Sequence, residues 1–86
     1  MTTETILPNG ALRVAAVVDA RGLKCPLPVL KTEKALASLR LGGTLTVLAT
    51  DPIAKIDIPL LCLKAGHACT LSTLGEELQF LIVKAG

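Results

Sequence analysis

The stretch DARGLKCPLPVL, residues 19–30, decides the fold because the hydrophobic pattern changes there from that of a strand to that of a helix. Before it, residues 12–18 are rich in β-branched side chains and are predicted to form a strand. After it, apolar side chains recur at Val29, Leu36 and Leu39, at the spacing of one helix face. The stretch is therefore predicted to be the turn that joins a strand to an amphipathic helix.

Downstream of this helix, the sequence predicts a second strand and a closing hairpin. Gly42 and Gly43 are expected to end the helix, because glycine adopts the left-handed conformation that commonly closes one. Residues 44–49 follow as a strand. Residues 69–74 and 77–83 are two further predicted strands, and they meet across a glycine as a β-hairpin.

A second helix is predicted between the second strand and the hairpin. Two acid-then-proline pairs, at Pro52 and Pro59, resemble helix starts. A proline inside a helix removes a backbone hydrogen bond, so Pro59 is expected to exclude a continuous helix over residues 52–65. The prediction is a short turn near Pro52 and then a helix over residues 58–65 that Gly66 ends.

The predicted element order is βαβαββ, and its fold class is α/β (α+β). Strand-helix-strand units normally form right-handed crossovers between parallel strands. The two helices are therefore expected to cover one face of a four-stranded sheet, as a two-layer sandwich. A chain of 86 residues has room for one core, so residues 11–86 are predicted to be a single domain and residues 1–10 a flexible lead-in.

Composition excludes several classes of partner. The net charge is only +2, and Phe80 is the one aromatic residue, so the chain lacks a basic stacking surface for direct nucleic-acid binding. The start of the chain has no secretion-signal pattern, and no apolar run is long enough for a membrane span. A cytoplasmic protein without a membrane partner is expected. Three cysteines, an odd number without dense spacing, indicate reduced thiols.

Cys25 is the candidate reactive residue, because it lies where the first turn becomes a helix. The free N–H groups and positive end of the helix dipole are expected to stabilise its thiolate. Lys24 beside it, with Arg21 and Lys31, is expected to act in the same direction. The prediction is an exposed, activated thiolate, which needs no neighbouring general base.

The residues around Cys25 are predicted to orient it. Gly22 permits a backbone angle that other residues avoid. Pro26 and Pro28 fix the backbone in the first helical turn, where the missing N–H groups matter little. If Cys25 served only to fill space in the core, neither the glycine before it nor the two prolines after it would be explained.

From Val17 to its end, the chain resembles the TusA/SirA/YedF family of small sulfur-carrier proteins. Its Cys-Pro-x-Pro signature is matched by CPLP, and Asp19, Gly22 and Leu23 support it. The match continues downstream, at Asp51, Pro52, Asp57, Ile58, Pro59 and Cys62. The resemblance implies a mixed four-stranded sheet whose last strand runs against the others.

The resemblance also implies a function. Cys25 is expected to accept sulfane sulfur as a persulfide from a cysteine desulfurase or a rhodanese-like donor, and to pass it to an acceptor protein. Acceptors in the family serve tRNA thiolation, molybdenum-cofactor enzymes or sulfur oxidation, and selenium is a further possible cargo. No cofactor is expected beyond the persulfide on Cys25, and the chain is expected to act as a sulfurtransferase-type relay.

Two alternatives remain open at this stage. One is a regulatory or interaction module with a redox-sensing cysteine, and the other is a thiol oxidoreductase that pairs Cys25 with Cys62. Cys62 is expected to be either a packing residue or an auxiliary thiol. With Cys69 and His67, these cysteines make up the inventory of a zinc site, but their spacing argues against one, so no metal is predicted. Lys31, Lys34 and Arg40 are expected on the solvated face of the first helix.

Overall fold

The computed structural model describes residues 2–3 and 13–85. In that part of the chain the elements are β1 (Thr2–Thr3), β2 (Arg13–Ala20), α1 (Leu27–Ala37), β3 (Leu39–Ala49), α2 (Ala54–Ala65), β4 (Ala68–Leu74) and β5 (Glu77–Val83).

The strands form one mixed sheet in the order β1-β2-β3-β5-β4. β2 and β3 are parallel, and β5 is antiparallel to both β3 and β4. The predicted four-stranded sheet, with its last strand reversed, is therefore confirmed for β2 to β5. Thr2–Thr3 adds a short antiparallel edge strand beside Val17 and Val18. Apart from this pair, the lead-in expected at residues 1–10 lies outside the described residues.

Both helices pack on the same face of the sheet, so the fold is the predicted two-layer sandwich. α1 packs on β2 and β3, and α2 packs on β4 and β5. Alternate side chains of the strands point into this interface, as the pleat of a sheet requires. The opposite face is open, with Val17 44% and Leu81 47% exposed. The largest fully buried hydrophobic side chains belong to the core between the layers: Phe80, Leu39, Leu45, Ile58, Ile82, Val18 and Val47.

The predicted end of α1 is wrong, because Gly42 and Gly43 lie inside β3 and the helix ends at Ala37. Gly42 has a φ of +81°, and its N–H donates to the Lys84 carbonyl at 2.7 Å. A Cβ on Gly43 would lie 2.9 Å from the Arg40 carbonyl oxygen. The glycine pair therefore serves an irregular, close-packed part of a strand, and Arg40 lies on that strand and not on α1.

A lysine from the other end of the chain binds carbonyls where α1 ends. Lys84 Nζ donates to the carbonyl oxygens of Leu36 and Leu39, each at 2.7 Å. Carbonyls at a helix C-terminus lack intrahelical donors, and a cation there also interacts favourably with the helix dipole. A long-range contact thus supplies what the sequence prediction assigned to glycine.

The predicted start of α2 is also wrong, because the helix begins at Ala54 and contains Pro59. Its first turn is secured by Asp51, whose Oδ1 accepts the Ile53 N–H at 3.1 Å and whose carbonyl accepts the Ala54 N–H at 3.0 Å. Pro59 removes the hydrogen bond to the Lys55 carbonyl, and Lys55 is exposed to solvent. The helix tolerates the proline because water has access to that turn.

The limits of β2 and β3 differ from the prediction, because β2 extends to Ala20 and β3 begins at Leu39 instead of residue 44. The end of α2 and the hairpin strands agree with the prediction more closely. Gly66 ends α2 in the left-handed conformation, with a φ of +82°. β5 has the predicted limits, and β4 begins one residue earlier than predicted. The two strands are joined at Gly75, whose φ is +61°.

Candidate functional site

The candidate site lies at the carboxyl ends of the parallel strands β2 and β3. The turn after β2 is closed by the Leu23 N–H, which donates to the Ala20 carbonyl at 3.2 Å. Gly22 has a φ of +80° in this turn, so the predicted need for glycine is confirmed. The Gly22 N–H donates to Oγ1 of Thr50, directly after β3, at 2.9 Å. This hydrogen bond holds the two strand ends together.

Cys25 follows this turn and is exposed. Its backbone N–H donates to Asp51 Oδ2 at 2.7 Å. Its Sγ donates to Asp57 Oδ2 at 3.2 Å. Two carboxylates that are distant in sequence therefore hold the cysteine, one by its backbone and one by its thiol.

Asp51 links the cysteine loop to the start of α2. One carboxylate oxygen accepts the Ile53 N–H and the other accepts the Cys25 N–H. These two hydrogen bonds, the one from Ile53 first, lower the pKa of the Asp51 carboxyl, and the positive charge of Lys24 adds to the effect. Asp51 is an ionised anchor for the backbone on both sides of the site.

The two prolines occupy the helix start, as predicted. Pro26 is the N-cap residue of α1, and Pro28 is within the first turn. Pro28 is buried, and its carbonyl accepts a hydrogen bond from Thr32 Oγ1 at 2.8 Å. Buried Pro28 thus anchors the first turn in the core while Cys25 stays exposed beside it.

The predicted thiolate is wrong, because the surroundings of Cys25 favour the neutral thiol. The pKa of Cys25 is raised, first by its hydrogen bond to Asp57, then by desolvation and by the charges of Asp57 and Asp51. The helix start offers few donors in compensation: Pro26 and Pro28 have no N–H, and the Leu27 N–H donates to the Lys24 carbonyl at 2.9 Å. Both carboxylates therefore favour the thiol form of Cys25.

Arg21, one of the basic residues expected to help Cys25, binds other acids. Arg21 Nε and Nη2 each donate to Asp19 at 2.8 Å, and Nη1 donates to Glu77 Oε1 at 3.3 Å. The paired Arg21 guanidinium lowers the pKa of the Asp19 carboxyl. The charge of Lys24 acts on Asp51. Neither basic residue therefore activates the thiol.

The other two cysteines lie together, away from Cys25. Cys62 is 1% exposed, and burial together with the nearby Cys69 thiol raises its pKa to about 12. Asp57 and Cys62 are five positions apart on α2, which separates them by roughly 7.5 Å along the axis and turns them to different faces. The structure therefore brings Cys62 to Cys69 of β4 and does not support the pairing of Cys62 with Cys25.

His67 has a role in packing the end of the chain. Its Nδ1 accepts the Ala85 N–H at 3.1 Å, and its backbone N–H donates to the Cys62 carbonyl at 2.8 Å. Within residues 2–3 and 13–85, no group of three His, Cys, Asp or Glu side chains has an arrangement that would hold a metal ion.

A groove of about 310 Å³ lies between α1 and α2, next to Cys25. We call it the thiol groove, and it is lined by Pro26, Val29, Glu33, Asp57, Leu60, Leu61 and Lys64. Large aliphatic side chains on the same two helices and the turn before α2 are at least 43% exposed: Leu27, Leu30, Ile53, Ile56, Leu60 and Leu63. Exposed apolar side chains mark protein-binding surfaces when they form one patch, and Leu60 joins this set to the thiol groove.

Sequence reasoning identified Cys25 but not what Asp51 and Asp57 do to it. Both acids were interpreted as helix-start signals, and Asp51 has that role. The available signal was their position after the end of β3, since the carboxyl ends of neighbouring parallel strands lie at one edge of the sheet. That edge is also where the Cys25 loop begins.

Comparison with known proteins gives a consistent result. The family model described as Sulfurtransferase TusA matches residues 16–84. A protein of Neisseria meningitidis serogroup A is 52% identical over 67 residues, which are 78% of this chain and 90% of that one. The sulfur carrier protein TusA of Pseudomonas savastanoi pv. phaseolicola is 46% identical over 74 residues, which are 86% of this chain and 87% of that one.

A solved structure has the same fold. The SirA-like protein from Desulfitobacterium hafniense matches with a TM-score of 0.73 and 28% identity, over 81% of this chain and 97% of that one. Among the described residues, neither helix has the length and apolar character needed to cross a membrane.

Proposed function

The chain belongs to the sulfurtransferase TusA family, and from that premise we propose that it is a sulfur carrier. Cys25 accepts a sulfane sulfur as a persulfide and passes it to an acceptor protein. The observation that carries the proposal is the contrast among the three thiols: Cys25 is exposed, whereas Cys62 is buried and Cys69 half-buried. A thiol that must meet a persulfide on another protein has to be accessible.

The site fixes the position of this thiol without enclosing it. Asp51 holds the Cys25 backbone at 2.7 Å, and buried Pro28 fixes the first turn of α1. The carried sulfur is bound covalently to Cys25, so the proposed reaction needs no other cofactor. Reduced thiols require a reducing compartment, which favours the cytoplasm.

The proposed partners are a sulfur donor, such as a cysteine desulfurase or a rhodanese-like protein, and an acceptor in tRNA thiolation, molybdenum-cofactor or sulfur-oxidation chemistry. The thiol groove and the exposed aliphatic side chains around it support contact with the donor on this surface. Apolar side chains that surround the reactive atom exclude water when a partner covers them.

Intact-mass spectrometry tests the carrier function. The protein is incubated with a cysteine desulfurase and cysteine, and we expect a mass gain of one sulfur atom that Cys25→Ser abolishes. Cys69→Ser is the matched control, because it removes a thiol elsewhere in the fold, and it should still gain the sulfur. The proposal is wrong if the native chain gains no sulfur, or if Cys25→Ser gains as much as the native chain.

The donor surface is tested by a charge placed in the thiol groove. Leu60 lines the groove and is 43% exposed, so Leu60→Asp should change the fold little and weaken the apolar contact with the donor. We expect the donor concentration for half-maximal loading to rise at least about tenfold, the size of effect seen at interface hot spots. Leu74→Asp, on a side chain 80% exposed in the hairpin, is the control. Equal loading by both variants would contradict this surface.

A further inference from the structure

The contact between Cys25 and Asp57 joins two parts of the chain that are distant in sequence. Asp57 is in the first turn of α2, and its Oδ2 lies 3.2 Å from Cys25 Sγ. The same loop is fixed a second time, by the hydrogen bond from the Cys25 N–H to Asp51. The sulfur therefore has a defined position against the Asp57 carboxylate, within reach of direct proton transfer.

We infer that Asp57 is a catalytic proton acceptor for Cys25: its carboxylate keeps the unloaded cysteine as a thiol and takes the thiol proton when Sγ attacks a donor persulfide. The inference rests on the proposed sulfur-carrier function and deepens it. It identifies Asp57 as the side chain that receives the thiol proton of Cys25.

The transfer step balances without an oxidant or a reductant. Cys25 Sγ forms a bond to the terminal sulfur of the donor's cysteine persulfide, and the bond between that sulfur and the donor's cysteine sulfur breaks. The electron pair of the broken bond stays on the donor's cysteine sulfur. The thiol proton moves to Asp57 as the new bond forms, and then to the departing sulfur. The products are a persulfide on Cys25 and a thiol on the donor.

Asp57 is better suited to this role than Asp51. Both oxygens of Asp51 accept backbone N–H groups, from Ile53 and Cys25. Asp57 instead meets the sulfur itself. Asp51 thus positions the cysteine, and Asp57 touches the reacting atom.

The charged groups that face the site come from both helices and from the loops that precede them. The hydrogen bond and charge of Asp57 and the charge of Asp51 all raise the pKa of Cys25, and burial adds to them. The charge of Lys24 acts on Asp51. The thiol groove adds one acid from α1 and one base from α2, Glu33 and Lys64.

The Asp57 carboxylate repels the thiolate of the unloaded carrier more strongly than the persulfide anion of the loaded carrier. In the persulfide the terminal sulfur lies one S–S bond beyond Sγ, about 2.05 Å farther along the chain of atoms. Negative charge on that sulfur can lie farther from Asp57 than negative charge on Sγ, and Coulomb repulsion falls with distance. Asp57 therefore favours the neutral thiol of unloaded Cys25, but it repels the negative charge of the persulfide anion less strongly.

Two rates measured on Asp57→Asn test this assignment. The first is alkylation of Cys25 by iodoacetamide from about pH 6 to about pH 10, followed by peptide mapping. The second is single-turnover sulfur loading from a persulfidated cysteine desulfurase near neutral pH. We expect the alkylation profile to move to lower pH, with faster alkylation at neutral pH, and we expect loading to slow at least about a hundredfold, the low side of typical proton-transfer catalysis.

Opposite changes in the two rates are the signature of a proton acceptor. If both rates rise, Asp57 only represses the thiolate, and the assignment is overturned. It is overturned as well if loading is unchanged or if the alkylation profile does not move. Failure of the native chain to load sulfur would instead refute the carrier function itself, so the two failures are distinguishable.

Two further variants distinguish proton transfer from the effects of charge and of packing. Glu76→Gln removes one negative charge from the turn between β4 and β5, outside the thiol groove, and it should leave both rates close to those of the native chain. Asp57→Glu keeps a carboxylate on the same turn, and it should restore loading relative to Asp57→Asn. If Asp57→Glu loads as slowly as Asp57→Asn, then packing and not proton transfer explains the loss.

Discussion

The site thiol and the core thiols both hold their protons strongly, but for different physical reasons. Cys25 is exposed, and a hydrogen bond to Asp57 is the main cause of its raised pKa. Cys62 is buried, and desolvation is the main cause of its raised pKa of about 12. Substitution of Asp57 would lower the pKa of Cys25, whereas Cys62 becomes reactive only when the packing around it opens.

This difference explains how one small chain leaves one free cysteine accessible to a partner while the other two are wholly or partly buried. Thiolates are the reactive form, so burial makes a thiol inert toward all reagents. A carboxylate contact makes a thiol less reactive in free solution but leaves it accessible to a docked partner. Only the second kind of restraint suits the carrier role proposed for Cys25.

The largest expected effect comes from removing the packing that shields Cys62. Phe80 is fully buried and lies between Val47 and Leu71 in the sheet register. Phe80→Ala should lower the free energy of unfolding by about 3–5 kcal/mol, as truncations of buried aromatic side chains do. Urea unfolding measures this loss. Iodoacetamide labelling of the folded variant should then become much faster at Cys62 while it stays the same at Cys25.

Leu81→Ala is the matched control for this core substitution. Leu81 is the next residue of β5, but it faces the open side of the sheet and is 47% exposed. Its truncation should lower the free energy of unfolding by less than about 1 kcal/mol and should leave Cys62 protected. Fast Cys62 labelling in Leu81→Ala, or none in Phe80→Ala, would show that packing against this sheet face is not what shields the core thiol.

The fold was predictable from the sequence where local chemistry decides it. The change of hydrophobic period around residues 19–30 marks the first strand-to-helix turn, and Gly22, Gly66 and Gly75 all have the positive φ that their turns require. These features depend on residues that are adjacent in the chain, and hence the sequence alone predicts them.

Helix ends were less predictable because their local signals compete with other contacts, some of them from distant residues. Gly42 and Gly43 have the sequence signature of a helix end, yet Lys84 closes α1 five residues earlier. Pro59 has the signature of a helix break, yet the turn secured by Asp51 starts α2 before it. At the end of α1 a tertiary contact outweighs local propensity, and at the start of α2 the local turn at Asp51 outweighs the proline.

The proton state of Cys25 illustrates the same limit at the site. The helix start and Lys24 are local, and they predict a thiolate. The opposing carboxylate of Asp57 is 32 positions away in the chain, and only the packing of α2 beside α1 brings it to the sulfur. The sequence indicated Cys25 as the candidate reactive residue but not which charge controls its pKa.

A smaller effect is expected from Asp51→Asn, which removes the charge and one of the two oxygen acceptors but keeps the other acceptor. The pKa of Asp51 is lowered in the fold from its ordinary value of 3.8 by its two backbone hydrogen bonds. A carboxyl whose folded pKa is depressed stabilises the fold above the unfolded-state pKa, and that contribution is lost as the pH falls through the folded pKa. Asp51→Asn should therefore lower the urea midpoint near neutral pH, and the gap to the native chain should close as the pH falls below 3.8.

The site thiol gives a second readout for the same variant, and this readout sharpens the contrast with the core. The Asp51 charge also raises the pKa of Cys25, so Asp51→Asn should move the iodoacetamide profile of Cys25 to lower pH, by less than Asp57→Asn does. Cys62 should remain protected at every pH at which the chain is folded. Exposure of Cys62 in Asp51→Asn would mean that the site and the core open as one unit, and that the two thiols are not controlled separately.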